Sequence, residues 1–258
     1  MAPFNTHFLI AEKLWPELTG PWHPYYGQFC FGCVVPDVDK ISANLTQKST
    51  HFFDRTDPLG RMITHRSTTF LKTQAQFLRS PFTELSPPEQ AFALGYLCHL
   101  CVDEVSKLLW TEEIWQIFYD LGSGPVAAFS ALDEIIHHHF LDYETICQAL
   151  DELIPLAVVL LISKEDLINM HQNVCRFARA ETGDAEMAVV VEAMFSRSPD
   201  EFEQKLTRLR HERDLITTEI EALQIDLMIE ASIAHSRRRL HDLIDGRCPE
   251  PGPPDLGR

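Results

Sequence analysis

The chain has 258 residues, enough for one sizeable hydrophobic core or for a domain with an appendage. An apolar fraction of 45% and a charged fraction of 23% are those of an ordinary soluble globular protein. The 38 acidic residues outnumber the 22 basic ones, and the resulting net charge of −16 repels a polyanion and disfavours broad nucleic-acid binding.

The longest apolar run, Leu153–Ile162, contains Pro155 and is too short to span a bilayer, so no stable membrane insertion is expected. Glu12 and Lys13 follow Phe8–Ala11 almost at once, a pattern without the basic-then-apolar order of a signal peptide, and a cytoplasmic location is expected. Seven cysteines make an odd number, and Cys30-x-x-Cys33 and Cys98-x-x-Cys101 fall in helical apolar patterns rather than in turns. They read as small buried core residues.

Taken in order, nearly every segment reads as helix. Asn5-Thr6 opens one that runs to about Leu18, with Phe8, Ala11, Leu14 and Trp15 on one stripe. A turn-rich connector, Gly20–Gly27, leads to a short helix over Gln28–Val35 that Pro36 stops. Val38 to about Leu59 is irregular and polar, the kind of long loop that carries function in a helical protein.

A helix follows from about Met62 to Arg79. Ser86-Pro-Pro-Glu89 then marks the start of a central helix reaching about Leu109. Thr111–Leu121 is a shorter piece, and Val126–Leu150 reads as a single helix holding His137-His138-His139 and Asp142. Two or three helices fill Glu152–Phe195.

From Pro199 to Ile244 the residues Phe202, Leu206, Leu209, Arg213, Ile216, Ile220, Leu223 and Leu227 alternate steps of three and four, a heptad seam with one interruption. This helix is expected to pack on the body or to pair with a second copy as a homodimer. The Pro-rich tail from Cys248 cannot form a packed core. The expected architecture is all-α: a helical body over 1–198, the heptad helix over 199–245 and a disordered tail over 246–258.

The chemistry is concentrated in a few polar residues. His99 and Asp103 stand four apart in an apolar helix and so share one face. Burying an imidazole and a carboxylate without partners is costly, which calls for a metal, a hydrogen-bond network or a cleft. His7 lies in the first turn of the first helix, Asp37 follows Pro36, His51 sits in the irregular loop, and His138 with Asp142 repeats the four-residue spacing. Zinc takes such nitrogens and oxygens at about 2.0–2.2 Å. A catalytic site leaves one position for water, and paired ions can hold both oxygens of a phosphoester, with Asp103 suited to bridge them.

Asn5-Thr-His7-Phe-Leu-Ile-Ala11, Gly32-Cys-Val-Val-Pro36-Asp37, Thr50-His51-Phe52-Phe53 and Ala93–Glu104 together resemble the zinc-dependent phospholipase C family, which is related in fold to the S1/P1 nucleases. The resemblance spans roughly residues 4 to 145. It implies an all-helical, zinc-dependent hydrolase of phosphoesters, with metal-bound hydroxide as nucleophile. His51, His99 and Asp103 would be ligands of one zinc. Asp103 would reach a second, which His7 joins, and Asp37 would orient or deprotonate the attacking water.

His138 and Asp142 resemble the family's later His-x-x-x-Glu pair, and the register among His137, His138 and His139 is open. Secreted members use the amino group of an N-terminal Trp as a ligand. This chain begins Met1-Ala-Pro-Phe and has no His shortly after Asp103, so one or two zinc ions are expected rather than three. The substrate implied is a small phosphoester or headgroup-like compound. The alternatives are a metal enzyme performing a Lewis-acid-assisted step on a specialised metabolite, and a non-catalytic helical protein that oligomerises through its last helix. His171, His211, His235 and His241, scattered on polar helical stretches, are assigned no role.

Overall fold

A computed structural model of the chain describes residues 4–52, 66–109, 127, 130–133, 135–136, 142–153, 155–156, 158–180, 183–195, 198–220 and 225–248. The helices are α1 (Phe4–Leu14), α2 (Tyr26–Gly32), α3 (Gln47–His51), α4 (Arg66–Phe77), α5 (Pro87–Leu109), α6 (Tyr143–Asp151), α7 (Lys164–Ala178), α8 (Gly183–Val190), α9 (Pro199–Ile220) and α10 (Ile225–Ile244). Among the described residues there is no strand, only an isolated antiparallel bridge between Leu78 and Val159. The all-α expectation holds.

Helix α5 is the axis of the molecule. Every residue from Glu89 to Ser106 is buried, as expected of a helix apolar around most of its circumference and covered on all sides. Helices α2, α10, α4 and α1 all pack against it. Its start is the predicted one: Glu89 turns back to accept hydrogen bonds from Ser86 N at 2.9 Å and Ser86 Oγ at 2.6 Å.

The crossing of α2 over α5 is tight enough to require glycine twice. A Cβ on Gly95 would lie 2.1 Å from the Phe29 carbonyl oxygen, and one on Gly32 would lie 2.3 Å from that of Phe92. No side chain fits between the two backbones, so the end of α2 lies directly over the middle of α5.

Several predicted boundaries change. The helix expected over Gln28–Val35 ends at Gly32, and Val35–Lys40 forms a separate 3-10 segment that contains Pro36 and Asp37. In the stretch expected to be irregular, Thr46 and Ser49 cap each other reciprocally and start α3, a local signal strong enough for five residues of helix. The single helix expected over Val126–Leu150 is interrupted: Asp142 has non-helical dihedrals (φ −87°, ψ 82°) and is the N-cap of α6. Asp142 therefore caps a helix instead of lying inside one, and His138 lies outside the described residues. Thr111–Leu121 lies outside the described residues.

The expected C-terminal helix appears as α9 and α10, with 221–224 outside the described residues. From the heptad stripe, Leu206 and Leu209 are buried in a small satellite core with Leu132, Met187, Val191 and Met228. Helix α10 lies along α5 and α1. The side chains of Ile216, Ile220 and Leu223 lie outside the described residues. Among the described residues, no helix is long and apolar enough to cross a membrane.

Candidate metal centre

Each chemical residue reaches the centre by a local feature of its element. His99 projects from mid-α5, and its Nδ1–H donates to the Cys33 carbonyl at 2.8 Å, just past the glycine crossing. A carbonyl only accepts, so His99 carries its proton on Nδ1 and turns a bare Nε2 inward. His51 is the last residue of α3, which ends there because Phe52 adopts a left-handed conformation (φ 53°). That conformation is uncommon for an aromatic residue, and the ring's edge contacts with Phe70, Phe77 and Tyr96 hold it. The Tyr96 hydroxyl donates to the Thr50 carbonyl at 2.6 Å, which ties α3 to α5. Thr50 Oγ1 lies 2.8 Å from His51 Nδ1 and fixes the outer edge of that ring.

The inner atoms converge. His51 Nε2 stands 3.2 Å from His99 Nε2, 3.3 Å from Asp37 Oδ1 and 3.8 Å from Asp103 Oδ2, and His99 Nε2 is 4.0 Å from that Asp103 oxygen. Ligands bound tetrahedrally at 2.0–2.1 Å stand roughly 3.3 Å from one another. His51 Nε2 already has that separation from His99 Nε2 and from Asp37 Oδ1, and Asp103 is slightly wide. His7, from α1, stacks face to face on His99 with ring centroids 4.0 Å apart. Three groups of ligand atoms are each compact enough to share one ion: His51, His99 and Asp103; His7, Asp37 and His99; and Asp37, Asp39 and His51.

The polar accounting points the same way. His7, Asp37, His51, His99 and Asp103 are all fully buried. Neither ring nitrogen of His7 and neither carboxylate oxygen of Asp37 has a hydrogen-bond partner. Orphaned buried groups of this kind are rare and call for an explanation such as an ion. Burial, reinforced by the neighbouring His99, pushes His7 down to about 3, and burial lowers His99 to about 4. Burial also lowers His51 well below its usual value. All three imidazoles are therefore neutral near pH 7, the form that binds metal. Burial alone would raise Asp103, but surrounding positive charge, with Arg66 first among the side chains, holds its carboxyl well below the usual range. The donor set of imidazole nitrogen and carboxylate oxygen fits zinc.

A second layer came from residues that sequence reasoning passed over. Arg66, at the start of α4, is buried and its Nη1 donates to Asp103 Oδ2. The next pair repeats the arrangement: Ser67 N and Oγ donate to the two oxygens of Glu104 at 2.8 and 2.7 Å. His235, on α10, is 2.7 Å from Glu104 Oε2. Cys101, Glu104 and His235 also form a compact group of ligand atoms, but these hydrogen bonds already occupy both Glu104 oxygens.

Asp39 accepts from Lys40 at 2.6 Å and lines the outer side of His51. Lys107, one turn beyond Asp103 on α5, has a buried Nζ without a hydrogen-bond partner. Burial, then the charge of Arg66, lowers its ammonium to about 7. The only sequence signals for these residues were charges inside apolar periods: Glu104 and Lys107 follow Asp103 on the central helix, and His235 stands alone.

Asp142 is exposed and apart from the cluster. Its carboxylate accepts from Thr145 N at 3.2 Å and from Thr145 Oγ1 at 2.7 Å as a helix cap. His138 lies outside the described residues. The four cysteines of the two C-x-x-C pairs are free and buried, and burial raises the thiols of Cys30, Cys33 and Cys101. They are core residues, as read from the sequence.

The described residues are helical and gather a buried cluster of His and Asp side chains of the kind that could hold a metal ion. The family model described as zinc dependent phospholipase C matches residues 6–105 of the chain. That interval runs from α1 through most of α5 and contains His7, Asp37, His51, His99 and Asp103, so the resemblance read from the motifs holds, and the ion implied is zinc. No curated protein and no solved structure matches the chain.

Proposed function

We propose that this chain is a zinc-dependent hydrolase of phosphoesters, of phospholipase C type, acting on a small or headgroup-like phosphoester inside the cell. The observation that carries the reading is the convergence of His51 Nε2, His99 Nε2 and Asp103 Oδ2 beside His7 nitrogens and Asp37 oxygens that have no hydrogen-bond partner, all within the matched interval.

In this reading His51, His99 and Asp103 would hold one ion, and His7 would contribute to a second. Zinc, when bound, supplies Lewis acidity toward a phosphoryl oxygen and lowers the pKa of a coordinated water toward ~7. The remaining work belongs to the chain. Asp37, with two buried oxygens that accept no hydrogen bond from the protein, accepts the proton of the attacking water and orients it. The Cys33 carbonyl and the Thr50 hydroxyl keep the two imidazoles turned inward. The apolar surround of α5 excludes bulk water and strengthens each of these interactions.

The test begins with the zinc content of protein purified without added metal, compared with His99→Ala and Asp103→Ala. About one or two zinc ions per chain are expected, with loss in both variants; unmodified protein without zinc rejects the reading. Activity on a chromogenic phosphodiester or a phosphocholine ester should then fall about 10²–10⁴-fold in Asp37→Asn, the usual range for a general base, with part of the zinc retained.

A further inference from the structure

The groups of ligand atoms in the His/Asp cluster overlap, and the overlap limits what they can hold together. The Nδ1–H of His99 is committed to the Cys33 carbonyl, so His99 offers only Nε2. A ring nitrogen has one in-plane lone pair and binds one ion. An ion held by His51, His99 and Asp103 therefore takes His99 away from the group that contains His7 and Asp37. That leaves a second ion with fewer protein donors than zinc usually takes. Asp39 is engaged by Lys40 on the outer side of His51, so the carboxylate a second ion would have to share is Asp103.

Asp103 already serves another cation. Its Oδ2 is the oxygen that faces His51 and His99, at 3.8 and 4.0 Å, and the same oxygen accepts from Arg66 Nη1. The guanidinium is buried and permanently charged, so it cannot step aside by losing a proton. It is also held in place. The next residue, Ser67, donates through N and Oγ to Glu104 at 2.8 and 2.7 Å, which fixes the start of α4 against α5.

Arg66 thus offsets the charge of Asp103 in a buried setting where charges are felt strongly. The two positions do not suffer equally. The first ion keeps two neutral imidazole nitrogens that already stand 3.2 Å apart. The second depends on Asp103 for both a ligand and a negative charge.

We propose that Arg66 grades the centre: zinc fills the position at His51, His99 and Asp103 first, and Arg66 holds the position at His7 to a lower affinity. The inference rests on the zinc reading of the cluster and sharpens it to one firmly held ion, with a second bound only as free zinc rises. Arg66 acts through Asp103 and is a positioning residue.

The experiment equilibrates the full chain, as purified, against zinc buffers of increasing free concentration and measures the zinc bound per chain. The unmodified protein is compared with Arg66→Met, Arg66→Lys and His7→Ala, and circular dichroism checks their folding. The unmodified protein should fill in two steps separated by at least about tenfold in free zinc, or stop at one zinc. Arg66→Met should narrow the separation by at least about tenfold, or add the second zinc. Arg66→Lys, which keeps the charge, should resemble the unmodified protein, and His7→Ala should lose the second step alone.

Two equal steps in the unmodified protein, or a separation unchanged by Arg66→Met, overturns the inference. So does an Arg66→Lys variant that behaves like Arg66→Met, because the charge is then not the cause. Loss of the first step in His7→Ala overturns the order of filling. Should Arg66→Met not fold, Arg66→Gln removes the same charge and is read by the same criteria. An unmodified protein that takes up no zinc at any concentration rejects the zinc reading itself, a result distinct from each of these.

Discussion

The inner edges of His51 and His99 are available because their outer edges are held. His99 donates to the Cys33 carbonyl, and His51 meets Thr50 Oγ1, so both rings are oriented before any ion arrives. Outer-shell partners of ligating histidines typically contribute 10–100-fold in metal affinity. Thr50→Val keeps the shape of the side chain and removes the hydroxyl, and it is expected to weaken zinc by about that factor with little effect on folding. Competition with a chromogenic chelator measures it, and an unchanged affinity would show that the hydroxyl does not orient His51.

At the scale of elements, the site depends on how closely α2, α4 and α10 approach α5. Gly95→Ala would place a Cβ 2.1 Å from the Phe29 carbonyl oxygen, so the two helices must separate. Overpacking of this kind costs roughly 1–3 kcal/mol. Because Cys33 moves with α2, zinc affinity should fall together with the denaturation midpoint, and a destabilised variant with unchanged zinc affinity would reject the coupling.

Helix α10 lies outside the family-matched interval yet is tied to α5 by His235 and Glu104, both buried. Burial alone would raise Glu104, but hydrogen bonds from His235 and Ser67 bring it below the usual carboxyl value. A carboxyl depressed in the folded state contributes stability that is present above ~4.3 and is lost as pH falls through the folded value. His235→Ala leaves Glu104 short of one partner and is expected to destabilise by about 3–5 kcal/mol, the cost of breaking a buried pair. Urea denaturation of the two proteins at pH 7 checks it.

Across the whole molecule, a second buried polar node joins distant parts of the chain. Asn5 N donates to Asp133 Oδ1 at 2.7 Å, Asn5 Nδ2 reaches Glu186 at 3.1 Å, and the Tyr143 hydroxyl donates to Glu186 Oε1 at 2.9 Å. The node fixes the N-terminal end of α1, two residues before His7. Burial, then the charge of Glu186, raises Asp133 well above the usual carboxyl value. With the folded value raised, the folded state holds a proton that the unfolded state has released above ~3.9. The stabilising contribution is complete below that pH and is lost as pH rises through the folded value. Asp133→Asn keeps an oxygen to accept from Asn5 N and should remove this loss, giving a smaller decline in melting temperature from about pH 5 to pH 8. An unchanged slope would assign the decline elsewhere.

Much of the site was legible along the chain because its signals are local. A His and an Asp four apart in an apolar helix, an Asp after a proline that stops a helix, and a His in a polar stretch each stood out from their surroundings. Helix class and the start of α5 at Ser86-Pro-Pro-Glu89 follow from periodicity and capping, which need only neighbours within a few residues. The helix expected through Asp142 differs for the same reason: a four-residue spacing is local, but whether Asp142 lies inside a helix or caps the next one is not.

The sequence alone thus determined the all-helical class, the burial of the four cysteines in the C-x-x-C pairs, and five side chains of metal-binding type in an order that resembles one family. Only the tertiary structure decided that those five meet, how far apart their atoms stand, and which of them lack partners. It alone brought in Arg66, Glu104, Lys107 and His235. The physical reason is that a buried charge is recognised by what surrounds it, and its surroundings come from helices tens to more than a hundred residues away, such as the 131 residues between Glu104 and His235.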